Sequence, residues 1–454
     1  KEVYEDAKAE YALAEDIESQ IRARQVEKLV NADAKTYTIL NAAQWQDEQL
    51  VLIPFDDTNQ ENGYWTTKQG VKQASQRTNE GWLIEIGQPT SFGGIEVEYH
   101  QGDTTQTDTP FLLNEHSVET PYYSVKWNNS MQLVSLYDKE AEREVFKAGQ
   151  NGNVLQIFED KPLAHDAWDI DLYYQEKMEE VSEVLSSEVV ENGPLRVVIR
   201  TVWKYQHSMI EQDMIFYAHN RRIDFKTKVN WQQQRKLLKV AFPVDIRATE
   251  ATYDIQFGNV KRPTHWNTSW DMARFETVGH QWADLSEAGY GVSLLNNCKY
   301  GYDIKENTMR LSLLKAAIYP DPTADQGEHE FTYSLLPHLG DWREGQTVRQ
   351  AWYLNHPLKA VRGKFVPKEK SFVSIHNRHV IIDAIKKKED EDAVIIRLHE
   401  YEGKRGTVKL EFPLHVEKWA ETNLMEQAED LERTGDIEFM IKPYEIKTLL
   451  IYFS

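Results

Sequence analysis

Cysteine is almost absent from this chain, which contains Cys298 and no other cysteine among its 454 residues. A single thiol excludes an internal disulfide, and it excludes metal sites that are built from paired cysteines. Such low usage is typical of a protein kept in a reducing compartment, so we expect a cytoplasmic location. Cys298 itself is interpreted as a small packing residue.

Long apolar runs and an excess of positive charge are also missing. No window approaches the roughly 20 consecutive apolar residues of a membrane-spanning helix. The formal net charge is −21 and the sequence pI is about 5.2. Because nucleic acid and anionic membrane surfaces would repel such a chain, we expect neither as a partner. A neutral or cationic ligand is favoured instead.

The usual catalytic and metal-binding motifs are absent as well. The 14 histidines are scattered, and the closest pair, His376 and His379, lies in a predicted turn. There is no His-Glu-x-x-His helix, no glycine-rich phosphate loop, no Gly-x-Ser-x-Gly elbow and no dinucleotide fingerprint. The residues of this chain therefore predict no catalytic site and no metal site.

What the sequence does contain is enough apolar material for several cores, since 41% of its residues are hydrophobic and 11% are aromatic. Residues 1–33 predict one amphipathic helix, with Tyr4, Tyr11, Ile17 and Ile21 on a single apolar stripe. One helix cannot bury that stripe alone, so the helix either packs on the β-domains or belongs to a helical bundle. We therefore expect the stripe to be partly exposed or covered by a neighbouring copy, which leaves a homo-oligomer open.

After this helix, the pattern predicts a mainly β chain. We expect a small β-domain at residues 34–115, a large antiparallel sandwich at 116–358 and a compact terminal β-domain at 371–454. The three longest predicted strands, within residues 195–230, should form a meander, because tight turns connect them. The basic segment 359–370 contains proline and glycine and is predicted to be a linker.

One stretch, Gln156–Tyr174, stands apart because it mixes aromatic rings with five acids. Aromatic faces stack on the C–H surfaces of sugars, and carboxylates accept hydrogen bonds from hydroxyls, so this composition favours the wall of a polar pocket. A solvated loop whose rings plug one end of the sandwich explains the same residues equally well. The acids are Glu159, Asp160, Asp166, Asp169 and Asp171.

Two of these acids, Asp169 and Asp171, would share one face if the segment is extended. Glycoside hydrolysis requires a pair of carboxylates across the scissile bond. Alternating acids are, however, common on exposed strands. We therefore assign this pair no independent catalytic role.

Two runs of the sequence are long and rich in rare residue types. The first is FEDKPLAHDAWDIDLYY, beginning at Phe158. The second is RPTHWNTSWDMARFE, beginning at Arg262, followed by HQWADLSE from His280 and GYGVSLLNNCKYGYD from Gly289. In content and order, both runs resemble glycoside hydrolase family 38 α-mannosidases of the bacterial and cytosolic type. The resemblance covers nearly the whole chain but only the C-terminal half of such an enzyme.

The resemblance implies a retaining α-mannosidase that hydrolyses the α-mannosides of oligosaccharides. Such enzymes use an aspartate nucleophile, an acid/base aspartate and a divalent metal, usually zinc, and these groups belong to an N-terminal catalytic domain. No residue of this chain matches any of them. We therefore expect part of a longer enzyme, inactive alone, whose partners are its own catalytic domain and a mannose-containing oligosaccharide.

The same resemblance implies a fold. Residues 1–33 would be the end of a helical bundle, residues 116–358 an antiparallel super-sandwich of the galactose-mutarotase kind, and residues 371–454 a terminal β-sandwich. The small β-domain would precede the super-sandwich.

Segments of the large β-domain face the catalytic domain in this family, which suggests substrate-rim or domain-interface residues in the acidic and aromatic stretch. We expect all of the candidates to lie together on one exposed face of the large β-domain, on the side that the helix approaches. They would either touch the substrate or hold the β-domain against the catalytic domain, and the sequence does not separate these roles. The candidates are Asp160, Asp166, Trp168, Asp169 and Tyr173.

Two other classes of function remain open. Super-sandwiches of this type also host sugar epimerases, which use a histidine and a glutamate in the cleft. The residues to suspect in that case are His165, His265 and Glu276. A non-catalytic carbohydrate-binding module is the second alternative.

Overall fold

The computed structural model describes residues 2–103, 108–428 and 432–454. The chain divides into two compact units, one formed by Lys1–Thr105 with His356–Ser454 and the other by Gln106–Asn355. Antiparallel sheets dominate both units, which confirms the predicted mainly β class. In the described part of the chain, no helix combines the length and the apolarity that a membrane crossing requires.

The first element is the predicted helix, Glu2–Leu29. Its apolar stripe is open to solvent, because Tyr4, Tyr11, Ile17 and Ile21 each expose at least 50% of their surface. The expectation that the stripe is partly exposed within its own chain is confirmed.

Residues 36–101 of the first unit, together with the later strand Lys359–Arg362, build two small sheets around one core. Strand alternation buries Tyr37, Trp65, Trp82 and Val97 in that core. The five-stranded sheet has the order Lys359–Arg362, Thr36–Asn41, Gly93–Gln101, Gly63–Thr67, Lys72–Gln73. The three-stranded sheet has the order Gln49–Pro54, Gly81–Ile86, Ser75–Arg77.

The prediction of a linker at residues 359–370 is wrong, because the first half of this segment forms paired strands. Lys359–Arg362 forms an edge strand that pairs with Thr36–Asn41. Two of the basic side chains that suggested a solvated linker, Arg362 and Lys364, are ion-pair partners there. Lys364, for example, lies 2.8 Å from the carboxylate of Asp33.

The second unit is a large sandwich of two antiparallel sheets. Its nine-stranded sheet has the order Glu183–Asn192, Arg196–Tyr205, Ser208–Tyr217, Ile223–Trp231, Gly327–Leu339, Tyr290–Asn296, Trp282–Glu287, Glu250–Ile255, Gly258–Pro263. Its six-stranded sheet has the order Met178–Glu180, Val154–Glu159, Lys236–Pro243, Thr308–Lys315, Gly301–Lys305, Thr277–Val278. The meander predicted within residues 195–230 is confirmed in the nine-stranded sheet.

Among the described residues, a third sheet and three short helices complete this unit. Side chains of the third sheet, including Val118, Val125 and Leu136, enter the core of the sandwich. Its five strands have the order Arg143–Glu144, Leu133–Asp138, Tyr123–Trp127, Ser117–Glu119, Leu112–Asn114. The helices are Leu172–Glu176, which is a 3-10 helix, Ser269–Met272 and Thr347–Asn355.

Alternation along the six-stranded sheet gives its two faces different chemistry. Ile157, Leu238 and Leu311 point into the core of the sandwich. Their neighbours in the strands, such as Lys239 and Ser312, point away from that core. We call this second side the outer face of the six-stranded sheet.

The terminal β-domain is a separate small sandwich within the first unit. Its core contains Val380, Ile396, Val408 and Trp419. One sheet has the order Ser374–Ile375, Gly406–Glu411, Ile437–Ile441. The other has the order Val380–Lys387, Val394–Glu400, Ile446–Phe453, Val416–Thr422.

Candidate functional site on the outer face of the six-stranded sheet

Two loops cover the outer face of the six-stranded sheet, and they are the two runs that stood out in the sequence. The first loop is residues 160–177, and the second loop is residues 264–276. Tyr174 of the first loop and Phe275 of the second pack in one apolar cluster, with ring centroids 6.1 Å apart. The fold therefore brings the two runs together.

One end of the first loop is fixed by Lys315. The Lys315 ammonium donates to the carboxylate of Asp160, and it also donates to the backbone carbonyl of Asp169 at 2.9 Å. Burial raises the pKa of Asp160, although the nearby ammonium acts in the opposite direction. Asp160 is therefore an internal anchor of the loop.

Two further acids fix the middle of the same loop. The Asp166 carboxylate accepts the backbone N–H of Ile318 at 2.6 Å, and Arg235 Nε lies 3.7 Å from its other oxygen. The Asp171 carboxylate accepts the backbone N–H of Leu163 at 2.8 Å. These carboxylates satisfy backbone N–H groups that would otherwise lack partners near the loop.

The expectation that all five candidates lie on an exposed face is wrong for two of them. Asp160 is 2% exposed and Asp166 is 7% exposed, because their carboxylates turn inward to Lys315 and to the backbone of Ile318, beneath the loop. Trp168 and Tyr173, in contrast, are 68% and 67% exposed, and Asp169 is also exposed. The placing of these residues relative to the N-terminal helix stays a prediction.

A turn at His165 presents Trp168 to solvent. The carbonyl of His165 accepts the backbone N–H groups of Trp168 at 2.8 Å and Asp169 at 2.9 Å. His165 adopts a positive φ of 55°, which suits a turn, and its ring lies edge-on to the Trp168 ring at 6.1 Å. The local backbone thus holds Trp168 outward.

The second loop carries a short capped helix and another outward ring. Thr268 and Asp271 form a capping box around Ser269–Met272, in which each side chain accepts a backbone N–H of the other residue. Trp270 within this helix is 76% exposed. The second loop therefore also has a fixed turn and a solvent-facing aromatic ring.

Beneath the loops lies a buried charged network centred on Lys239. Its Nζ atom donates to the Tyr174 hydroxyl at 2.9 Å and to the Glu276 carboxylate, and it lies 3.5 Å from Asp303 Oδ2. Burial by itself would lower the pKa of Lys239, but the two carboxylates outweigh burial and hold that pKa above its ordinary value. The ammonium form is therefore the stable one.

Three more polar side chains complete the Lys239 network. Arg310 donates to Asp303 at 3.3 Å and to the side-chain oxygen of Gln156 at 2.9 Å. The Ser312 hydroxyl donates to Glu276.

Sequence reasoning missed Lys239, Asp303 and Arg310. The one local signal was a lysine inside the apolar strand KLLKVAFP, where an unpaired charge would be unfavourable.

The histidine and glutamate that an epimerase would use are separately engaged. Glu276 is bonded to Lys239 and Ser312. His265 lies 3.6 Å from Asp271, while His165 packs beside Trp168. This arrangement does not favour a proton-transfer pair on the outer face.

Two sequence models of known protein families match the chain. The sequence model of the glycosyl hydrolases family 38 C-terminal domain matches residues 118–323, and that of the family 38 C-terminal β-sandwich domain matches residues 379–449. The chain belongs to glycoside hydrolase family 38. The first match spans both loops of the candidate site, and the resemblance noted in the sequence is confirmed.

The family 38 chain is similar to several curated α-mannosidases. α-Mannosidase G of Dictyostelium discoideum is 38% identical over 347 residues, which cover 73% of this chain and 32% of that protein. Human α-mannosidase 2C1 is 35% identical over 338 residues, which cover 72% of this chain and 32% of that protein. The chain thus spans about a third of the length of these relatives.

A solved structure shows the same fold. An α-mannosidase from Enterococcus faecalis V583 aligns with a TM-score of 0.74, covering 95% of the family 38 chain and 58% of that protein, at 14% identity. At this low identity the likeness supports the fold and nothing finer.

Proposed function

We propose that the family 38 chain acts as the C-terminal, β-rich part of an α-mannosidase that hydrolyses mannose-containing oligosaccharides. The chemistry would belong to a catalytic domain in the part of the relatives' length that this chain does not match. The two loops over the outer face would border the sugar site of the assembled enzyme.

One observation carries the proposal, namely that Trp168 and Tyr173 are exposed on a loop whose buried acids fix its shape. Leaving a large ring in water forgoes about 2 kcal/mol of burial. Exposed rings beside the free carboxylate of Asp169 match the groups that bind sugar C–H faces and hydroxyls. A loop that only plugged the sandwich would turn these rings inward.

A zinc ion, which the family resemblance implies, does not fit the outer face. Asp160, Glu276 and Asp303 each bind an ammonium or guanidinium group, and Asp166 binds a backbone N–H. These cations already occupy the positions that a divalent metal would take. We therefore propose that any zinc site of the enzyme lies outside these loops.

Localisation is the remaining part of the proposal. The single cysteine favours a reducing compartment, so we propose that the enzyme works in the cytoplasm. Fractionation of the source cells, with an antibody against this chain, tests this directly. Recovery of the chain with a secretory or vacuolar marker would contradict it.

The test of the rim role uses an enzyme in which this chain accompanies a family 38 catalytic domain. Trp168→Ala and Tyr173→Ala should each raise KM for a mannose oligosaccharide about tenfold, while KM for a small aryl α-mannoside changes little, because the small substrate does not reach the rim. Tyr444→Ala, which removes an exposed ring in the terminal β-domain, is the matched control.

A different result would identify the alternative role. If the two substitutions reduce turnover of both substrates equally and weaken association of the two parts, the loop is a docking surface between domains. In the family 38 chain alone, hydrolysis of an aryl α-mannoside should stay at background with or without added zinc.

A further inference from the structure

Lys239 occupies the centre of the outer face. In the strand register it lies opposite Gln156 on one side and Ser312 on the other, and Ser312 lies opposite Gly301 in the next strand. Side chains in one register row of a sheet point to the same face. The Lys239 side chain is completely buried, so the loops above must supply its partners.

Each loop supplies one partner to this ammonium. Tyr174 comes from the first loop and Glu276 from the second, while Asp303 belongs to the sheet itself. The Tyr174 hydroxyl also donates to Asp303 at 3.1 Å, which closes the network between loop and sheet. Lys239 is therefore a point at which both loops and the sheet meet through hydrogen bonds.

The network is balanced in charge and tightly fitted. Lys239 and Arg310 provide two positive charges, and Glu276 and Asp303 provide two negative charges. A Cβ atom at Gly301 would lie 3.0 Å from a Glu276 oxygen and 3.1 Å from Ser312 Cβ, so glycine there leaves the space that Glu276 occupies. A buried charge is tolerated only when it is paired and hydrogen-bonded in this way.

We infer that Lys239 is a positioning residue that locks the first and second loops into one rigid surface. The lock acts on Tyr173, which is adjacent to Tyr174, and on Trp270, which lies in the short helix preceding Phe275 and Glu276. It fixes both exposed rings to the same sheet. The use of that surface for sugar rests on the proposed function, whereas the lock itself does not.

Hydrogen exchange in the family 38 chain tests the lock. The reporters are the amides of Trp168, Asp169 and Tyr174 in the first loop and of Met272, Ala273 and Arg274 in the second, all of which donate to local carbonyls. Lys239→Met should accelerate their exchange about tenfold relative to the amides of strands Val154–Glu159 and Lys236–Pro243.

Two controls distinguish a local loosening of the loops from a general loss of stability. Arg222→Met removes a largely buried cation of the same unit, one paired with Asp224 in the nine-stranded sheet, and should leave the loop-to-strand ratio unchanged. Lys239→Met combined with Glu276→Gln restores charge balance, so stability should recover in part. The loops should still exchange fast, because the tie between them is gone.

A milder variant covers the case in which Lys239→Met does not fold. Tyr174→Phe keeps the ring packing and removes only the hydroxyl that contacts Lys239 and Asp303, so it should accelerate exchange in the first loop several-fold. Tyr333→Phe, whose buried hydroxyl bonds to Gln212 and Asn153, is its matched control and should not.

The inference is overturned if loop and strand amides accelerate by the same factor, or if the charge-restored double variant returns the loops to wild-type protection. None of these measurements uses a sugar or a hydrolysis assay. Failure of the lock and failure of the proposed function therefore give different results.

Discussion

The carboxylate of Asp166 accepts the backbone N–H of Ile318 at 2.6 Å. The composition of its stretch suggested Asp166 as a substrate contact. In the structure, Asp166 instead joins the first loop to the segment that follows strand Thr308–Lys315. Trp168, two residues further on, is not buried in this way, and most of its ring faces solvent. The two side chains should therefore respond differently to truncation.

We expect Asp166→Ala to lower the free energy of unfolding by about 2 kcal/mol, because it leaves the partly buried N–H of Ile318 without its acceptor. Trp168→Ala should change that free energy by no more than about 0.5 kcal/mol, since most of its ring is exposed. Urea denaturation of both variants measures the difference. Equal losses would mean that the Trp168 ring is buried in solution.

The buried pair of Asp160 and Lys315 gives a second prediction. Lys315→Met should destabilise the chain by about 3 kcal/mol, because it leaves the Asp160 carboxylate buried without a counter-charge. Adding Asp160→Asn should recover part of that loss. Lys226→Met, which breaks an exposed pair with Glu330 at 3.6 Å, should cost less than about 0.5 kcal/mol.

Asp33 predicts a dependence of stability on pH. Its pKa is held well below the ordinary value by the Lys364 ammonium, and then by hydrogen bonds from the backbone of Lys35 and from Thr36. The folded state therefore favours the carboxylate more than the unfolded state does. This contribution is present above the unfolded pKa of about 4 and is lost as the pH falls toward the folded pKa.

Thermal unfolding from pH 7 down to pH 2 checks this sign. Asp33→Asn should lower Tm at pH 7 and flatten the fall of Tm below pH 4, relative to the wild type. Asp6→Asn, on the exposed N-terminal helix, should retain the wild-type slope. A parallel slope in Asp33→Asn would show that the carboxylate is not selectively stabilised in the folded state.

The open stripe of the N-terminal helix predicts self-association. A variant carrying Tyr11→Ser, Ile17→Ser and Ile21→Ser should sediment as a smaller species than the wild type at the same concentration, because an uncovered apolar face favours contact with a second copy. Its Tm should be unchanged. Replacing the polar residues Glu10, Gln20 and Arg24 by serine is the control, and identical sedimentation of all three proteins would exclude the stripe as an interface.

The strand pattern was predictable from the sequence because alternation reports local geometry. The meander within residues 195–230 follows from apolar periodicity and tight turns, both of which are properties of neighbouring residues. The strand at Lys359–Arg362 was not predictable in this way. Its basic residues resemble those of a solvated segment until Asp57, which pairs with Arg362, is placed beside them.

The candidate site was also only partly predictable from the sequence. Composition located both loops, but it did not distinguish Asp160, which points inward, from Asp169, which points to solvent. The Lys239 network was missed because Tyr174, Glu276 and Asp303 come together only once the register of the six-stranded sheet is known. A lysine in the middle of a largely apolar strand was the only local sign of it.

The pairing of Lys359–Arg362 with Thr36–Asn41 has a consequence for the order in which the chain folds during synthesis. The large sandwich is complete once Asn355 has left the ribosome, whereas the first unit must wait for the strand that follows it. In the same way, Val30–Asn31 stays unpaired until Lys364–Phe365 has been synthesised. Throughout synthesis of the sandwich, one edge of Thr36–Asn41 therefore stays unpaired, which is the condition under which nascent chains recruit chaperones or pair with the wrong strand.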